Sequence, residues 1–157
     1  MKRMWSRNEL RKIIQETYGI DINNLIGKDG HERFDDGDIQ LNASAPEGVE
    51  KVYGKWSLSG THLLVVLCIN IPNTTNLGNL NLTKITFPKW IFDKIIPLTS
   101  SVIEKKTFDA FGSDNTSQSL TVWLQKTSST IDLNTSSFTA SADRKVRISF
   151  DLLIDND

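Results

Sequence analysis

A single cysteine, Cys68, stands among 157 residues. No intramolecular disulfide can form, and a zinc site built on cysteine pairs is excluded. Histidine is almost as scarce: His31 and His62 are the only two, and neither sits in a recognisable catalytic context. The chain has no glycine-rich phosphate loop, no Gly-x-Ser-x-Gly elbow and no His-Glu-x-x-His segment. An excess of one charge is also missing. Eighteen Lys and Arg face nineteen Asp and Glu, for a net charge of −1. That leaves no footprint of the kind phosphate backbones require, so nucleic acid is not an expected partner. No apolar run approaches the roughly 18 residues of a membrane-spanning helix, so membrane insertion is not expected. The basic start, Met1-Lys2-Arg3-Met4-Trp5, is followed by no apolar h-region. A secretory leader is therefore not expected, and synthesis in a cytoplasm is.

What the chain has instead is small polar residues: 15 Ser, 14 Thr and 12 Asn. These types favour turns, caps and strand surfaces over helix interiors. With hydrophobic residues at 38%, the chain is too apolar to be wholly disordered. Its length suits one domain, or one domain with a short appendage. Three segments follow. Residues 1–27 hold a capping box, Ser6-Arg7-Asn8-Glu9, with Leu10, Ile13 and Ile14 at helical spacing behind it and Gly19 where a helix should stop. A helix from about Arg7 to Tyr18 is predicted. At that length it is marginal alone, so its apolar stripe needs a surface. Residues 28–50 read as a polar linker or arm, with Ile39-Gln40-Leu41 as a short strand candidate. Residues 51–157 read as the main domain.

The patterns of that domain are β. Val52, Gly54, Trp56 and Leu58 share one phase. Leu63 to Ile71 is nearly continuous apolar, as expected of a strand covered on both faces, with Cys68 as a small core hydrophobe. Leu80 to Phe87 changes phase between Leu82 and Ile85, which predicts a bulge. Gln118 to Lys126 alternates, with Leu120, Val122 and Leu124 on one side and Trp123 on the other. Lys145 to Ile154 alternates most clearly. Six to eight strands with frequent turns and no intervening helical pattern predict a mainly β fold: an antiparallel β-sandwich or jelly roll with a short N-terminal α-helix.

Chemistry-bearing clusters are few. Asp29, Asp35, Asp36 and Asp38 gather around two glycines, but the spacing does not match an EF-hand. The stretch 29–38 reads as a solvated acidic loop, with an irregular cation site as the alternative. Glu47, Glu50, Glu104 and Asp109 lie on the β domain without a pairing that would suggest glycosidase chemistry. The chain is read as non-enzymatic, with no cofactor. Five Asn-x-Ser/Thr sequons, at Asn42, Asn73, Asn81, Asn115 and Asn134, are attributed to composition. The four tryptophans divide. Trp56 reads as core. Trp5, Leu10, Ile13 and Ile14 read as anchors into a partner. Trp90, between Pro88 and Pro97, either folds into the core or packs on a neighbouring copy. Trp123 reads as an interface or ligand-stacking residue, alongside Trp90 and Tyr53.

The charged, capped helix Ser6-Arg7-Asn8-Glu9-Leu10-Arg11-Lys12-Ile13-Ile14, the polar arm, and a Ser/Thr/Asn-rich β domain ending in Val146 to Ile154 together resemble small structural proteins of tailed-phage particles: head fibres, baseplate accessories and tail-fibre tips. The resemblance spans the chain in layout. It implies a homotrimer in the virion, made in the host cytoplasm. The N-terminal segment would dock on capsid, tail or baseplate proteins, and the β head would decorate the particle or contact a host-surface glycan. The helix is too brief for a repeated-heptad shaft, which favours a compact knob. The alternative function is a carbohydrate-binding module or lectin-like domain.

Overall fold

Period-two alternation and closely spaced turns organise the chain beyond residue 33. The computed structural model describes residues 6–18 and 33–155. In the first stretch, Arg7–Tyr18 is helical (α1). Its start is a reciprocal capping box: the Glu9 N–H donates to Ser6 Oγ at 3.2 Å, and the Ser6 N–H donates to Glu9 Oε2 at 3.4 Å. Leu10 and Ile13 are 42% and 36% exposed. Trp5, Gly19 and Asp29 lie outside the described residues, as does the side chain of Ile14.

The second stretch holds eight strands among the described residues: β1 Phe34–Asp38, β2 Glu50–Ser59, β3 His62–Ile71, β4 Leu80–Ile85, β5 Val102–Gly112, β6 Ser117–Lys126, β7 Ile131–Thr135 and β8 Arg144–Leu153. A four-residue helix, α2 (Lys89–Phe92), follows β4. The strands form one sheet in the order β1-β2-β3-β8-β5-β6-β7-β4, antiparallel throughout and curled into a half-barrel. The mainly β, antiparallel class follows from this arrangement. Pairing is uneven along the order. Strand β3 matches β8 over ten register pairs, whereas β8 and β5 share only Phe111↔Lys145 and Gly112↔Arg144. The ladder is therefore thinnest at that seam.

Inward-facing positions fill one core: Leu63, Val65, Leu67, Ile69 and Ile71 from β3, Leu120, Val122 and Leu124 from β6, and Val146, Ile148, Phe150 and Leu152 from β8. Two edge-on aromatic pairs stitch it, Trp56–Phe87 at 5.0 Å and Phe108–Phe150 at 5.6 Å between ring centroids. Two expectations are corrected here. Strand β3 is not covered on both faces: Leu64 is exposed and Val66 and Cys68 are half-buried. These residues face outward opposite Ser57, Lys55 and Tyr53 of β2, as an antiparallel sheet with one open face requires. Val52 does not join the core and is 54% exposed. The β2–β3 register shifts between Lys51 and Tyr53, and this extra residue breaks the alternation that ran through Trp56 and Leu58.

The stretch read as linker contributes to the sheet. Strand β1 lies in the acidic run, one step before the predicted Ile39–Leu41, and Ile39 is buried. From there the chain crosses between the two ends of the sheet. The Ile39 N–H donates to Gly54 O on β2, and the Asn42 N–H donates to Leu82 O on β4 at 2.8 Å. Gly54 is required for this approach, because a Cβ there would lie 2.6 Å from the Ile39 carbonyl oxygen. An amide ladder continues the closure. Asn42 Nδ2 donates to the Asn81 side chain, Asn81 Nδ2 to Asn134 Oδ1 at 2.8 Å, and Asn134 Nδ2 to Gln125 Oε1 at 3.5 Å. Three of the five sequon asparagines thus hold the fold together.

The proline-bounded segment folds inward. Ile91, Phe92 and Ile95 are buried, and Ile95 bridges Ile154 beyond β8. Trp90 is half-buried against the core, with the buried Arg33 guanidinium 5.1 Å from its ring centroid.

Candidate functional site

Strand register places four unlike side chains in one row. Glu50 lies opposite Asn70, Asn70 opposite Lys145, and Lys145 opposite Phe111. Residues directly opposite in antiparallel strands share a face. Their sequence neighbours Ile69, Val146 and Ala110 are buried, so this row faces outward. At about 4.8 Å per strand, four strands carry it across roughly 14 Å. Phe111 is 56% exposed. Neither Glu50, Asn70 nor Lys145 uses its side chain in a hydrogen bond or ion pair with another described residue.

The row floors a groove of about 650 Å³, walled by Gly48, Pro72, Ser113 and Asp143. Its charged lining consists of Glu50 and Asp143 against Arg144 and Lys145, so the formal charges cancel. The wall is fixed at both ends. Asp143 Oδ1 accepts the Asn73 N–H at 2.8 Å, and its carbonyl accepts the Ser113 N–H.

Beneath the row, Arg144 points inward and is 3% exposed. All three nitrogens of its guanidinium donate hydrogen bonds. Nε donates to Gln118 Oε1 at 2.8 Å. Nη1 donates to Thr116 O at 2.6 Å, to Thr116 Oγ1 at 3.1 Å and to Asp114 Oδ1 at 3.2 Å. Nη2 donates to Ser141 Oγ at 2.9 Å. A Cβ on Gly112 would lie 2.2 Å from Arg144 Nη1, so only glycine leaves room for this side chain. The Asp114 carboxyl is held below its ordinary range. The Thr116 hydroxyl contributes most, then the Thr116 N–H, with the Arg144 charge a smaller cause. Arg144 thus ties the β5–β6 turn to β8 and sets the position of Phe111 at the groove mouth.

The two carboxylates of the groove, Glu50 and Asp143, are both exposed. Among the described residues, no three His, Cys, Asp or Glu side chains are grouped to hold a metal ion. In particular, Asp36 and Asp38 share one face of β1 and Asp35 takes the other.

The residues singled out from sequence do not converge on the groove. Trp123 is half-buried on β6, with Lys105 Nζ 5.8 Å from its ring centroid. Trp90 stacks with Arg33, and Leu10 and Ile13 lie on α1. Tyr53 is exposed on the outer face of β2. Phe111 is not among those residues, although the sequence carries one signal for it: an aromatic out of phase with Ala110, immediately before the turn Gly112-Ser113-Asp114-Asn115. Arg144 had no such signal, because Asp143-Arg144-Lys145 reads as an ordinary charged surface run. No family model matches the chain, and neither curated proteins nor solved structures yield a match.

Proposed function

We propose that this chain is a non-enzymatic structural head of the kind found on tailed-phage particles, docked by residues 1–27 and assembled as a homotrimer in the virion. One observation carries the proposal. Among the described residues, the core cluster runs from Ile39 to Ile154 without Leu10 or Ile13, which the capped α1 keeps exposed. A short helix with Leu10 and Ile13 open to solvent is suited to a partner surface, whether a sister copy or a capsid, tail or baseplate protein. The β body behind it is the displayed part. Its two halves, β1-β2-β3-β8 and β5-β6-β7-β4, are joined through only two register pairs, which supports describing the head as a β-sandwich open at one corner.

The test is light scattering coupled to size exclusion, on the full chain and on Leu10→Glu/Ile13→Glu. The full chain is expected to run as a trimer and the double variant as a monomer with an unchanged far-ultraviolet spectrum. A full chain that stays monomeric at high micromolar concentration overturns the anchor assignment. A carbohydrate-binding module is the second reading, favoured by the exposed Phe111 beside three disengaged polar side chains.

A further inference from the structure

We infer that the groove across β2, β3, β8 and β5 binds an uncharged glycan, with a pyranose ring stacked on Phe111 and its hydroxyls bonded by Lys145, Asn70 and Glu50. The inference deepens the reading of the β body as a displayed, non-enzymatic head.

Three features select this ligand class. The exposed face of Phe111 offers an apolar platform for the C–H face of a sugar ring. Beside it stand an ammonium, an amide and a carboxylate on successive strands. Together they supply donors and acceptors that suit vicinal hydroxyls. Finally, the lining carries two positive and two negative side chains. An anionic ligand would be drawn to Lys145 and repelled by Glu50 and Asp143, and a cation would meet the reverse. An uncharged polyhydroxylated ligand avoids both penalties while bonding to Lys145, Asn70 and Glu50. The row is about 14 Å long, room for two to three linked rings.

The site is also preorganised. Its polar residues stand on strands rather than mobile loops, and Arg144 fixes the turn that follows Phe111. The backbone that carries the site is therefore in place before binding. The sequence-favoured aromatics Trp90 and Trp123 do not line this groove, so they provide controls.

The experiment is titration calorimetry with the full chain, using cellotriose, maltotriose, mannotriose and galactotriose as neutral probes and trigalacturonic acid as the anionic one. Saturable binding of at least one neutral trisaccharide is expected. Phe111→Ala should weaken it about tenfold or more, Phe111→Tyr should retain it, and Asn70→Ala should weaken it severalfold. Trp123→Ala should leave it unchanged. Phe111 and Asn70 lie outside the core cluster, so these variants are expected to fold, and circular dichroism checks that they do. No saturable binding to any neutral probe, equal binding by Phe111→Ala, or preference for the galacturonate overturns the site. The bound sugar is then analysed for cleavage. Hydrolysis would overturn the non-enzymatic reading while leaving the site in place, whereas an intact trimer that binds no sugar overturns the site alone.

Discussion

Replacing Arg144 by Met keeps the aliphatic stem and removes the guanidinium, so it isolates the hydrogen bonds beneath the groove. Five contacts disappear, to Gln118, Thr116 (two), Asp114 and Ser141. Bonds to a charged donor contribute about 1.5–3 kcal/mol each in isolation, but these five share one group and do not add. Most acceptors also keep a second partner. Thr116 O still accepts the Gly112 N–H at 2.8 Å, and Gln118 Oε1 still accepts the Ser141 N–H at 2.9 Å. Removing the charge also recovers the cost of burying it. The net loss should therefore be about 3 kcal/mol, well below the sum of the bonds. For a chain of this length that lowers Tm by roughly 6–12 °C. Urea unfolding followed by tryptophan fluorescence should show a lower midpoint with an unchanged m-value. A variant within about 0.5 kcal/mol of the parent, the range of ordinary surface substitutions, would refute the role assigned to Arg144. An equal loss in Asp114→Asn would show that the ion pair, rather than the neutral acceptors, carries the stabilisation.

The seam that closes the sheet can be attacked from two sides. Gly54→Ala places a Cβ against the Ile39 carbonyl, and Asn81→Ala leaves the Asn42 and Asn134 amides without their shared partner. Each should destabilise by about 1–3 kcal/mol, and hydrogen exchange should quicken first at the Ile39 and Asn42 amides. Acid stability should depend on Asp114. Its folded pKa lies below the unfolded value, so its contribution is present above the ordinary carboxylate range and is lost as pH falls through the folded pKa. Asp114→Asn should therefore flatten the acid limb of a Tm-against-pH curve while leaving its neutral-pH shape unchanged, and an unaltered acid limb would refute the assignment.

Legibility followed the range of the interaction. The alternation in Gln118 to Lys126 and Lys145 to Ile154 is a neighbour-to-neighbour property. It places Leu120, Val122, Leu124, Val146, Ile148, Phe150 and Leu152 in the core as the pattern predicts. The phase change in Leu80 to Phe87 became a register shift between Asn81 and Thr83, again a local signal. Strand β1 was harder to see. Phe34-Asp35-Asp36-Gly37-Asp38 has the composition of a loop, and only its pairing with β2 makes it a strand. Gly37 also serves that pairing, since a Cβ there would strike the Trp56 ring.

The groove depends on contacts that a local pattern cannot encode. Glu50, Asn70, Phe111 and Lys145 are separated by 20 to 41 residues along the chain and meet only because four strands adopt one register. Arg144 and Lys145 are neighbours with opposite fates, one buried and bonded through all three guanidinium nitrogens, the other exposed at the row. By itself the sequence determined the strand periodicity, the helix cap at Ser6 and the shortage of metal- and redox-type side chains, because these depend on residue type and short spacing. The tertiary structure decided which β3 side chains stay open, that Asn42, Asn81 and Asn134 close the sheet, and where an aromatic and three polar groups converge. Those outcomes depend on which distant strands pair and in which register.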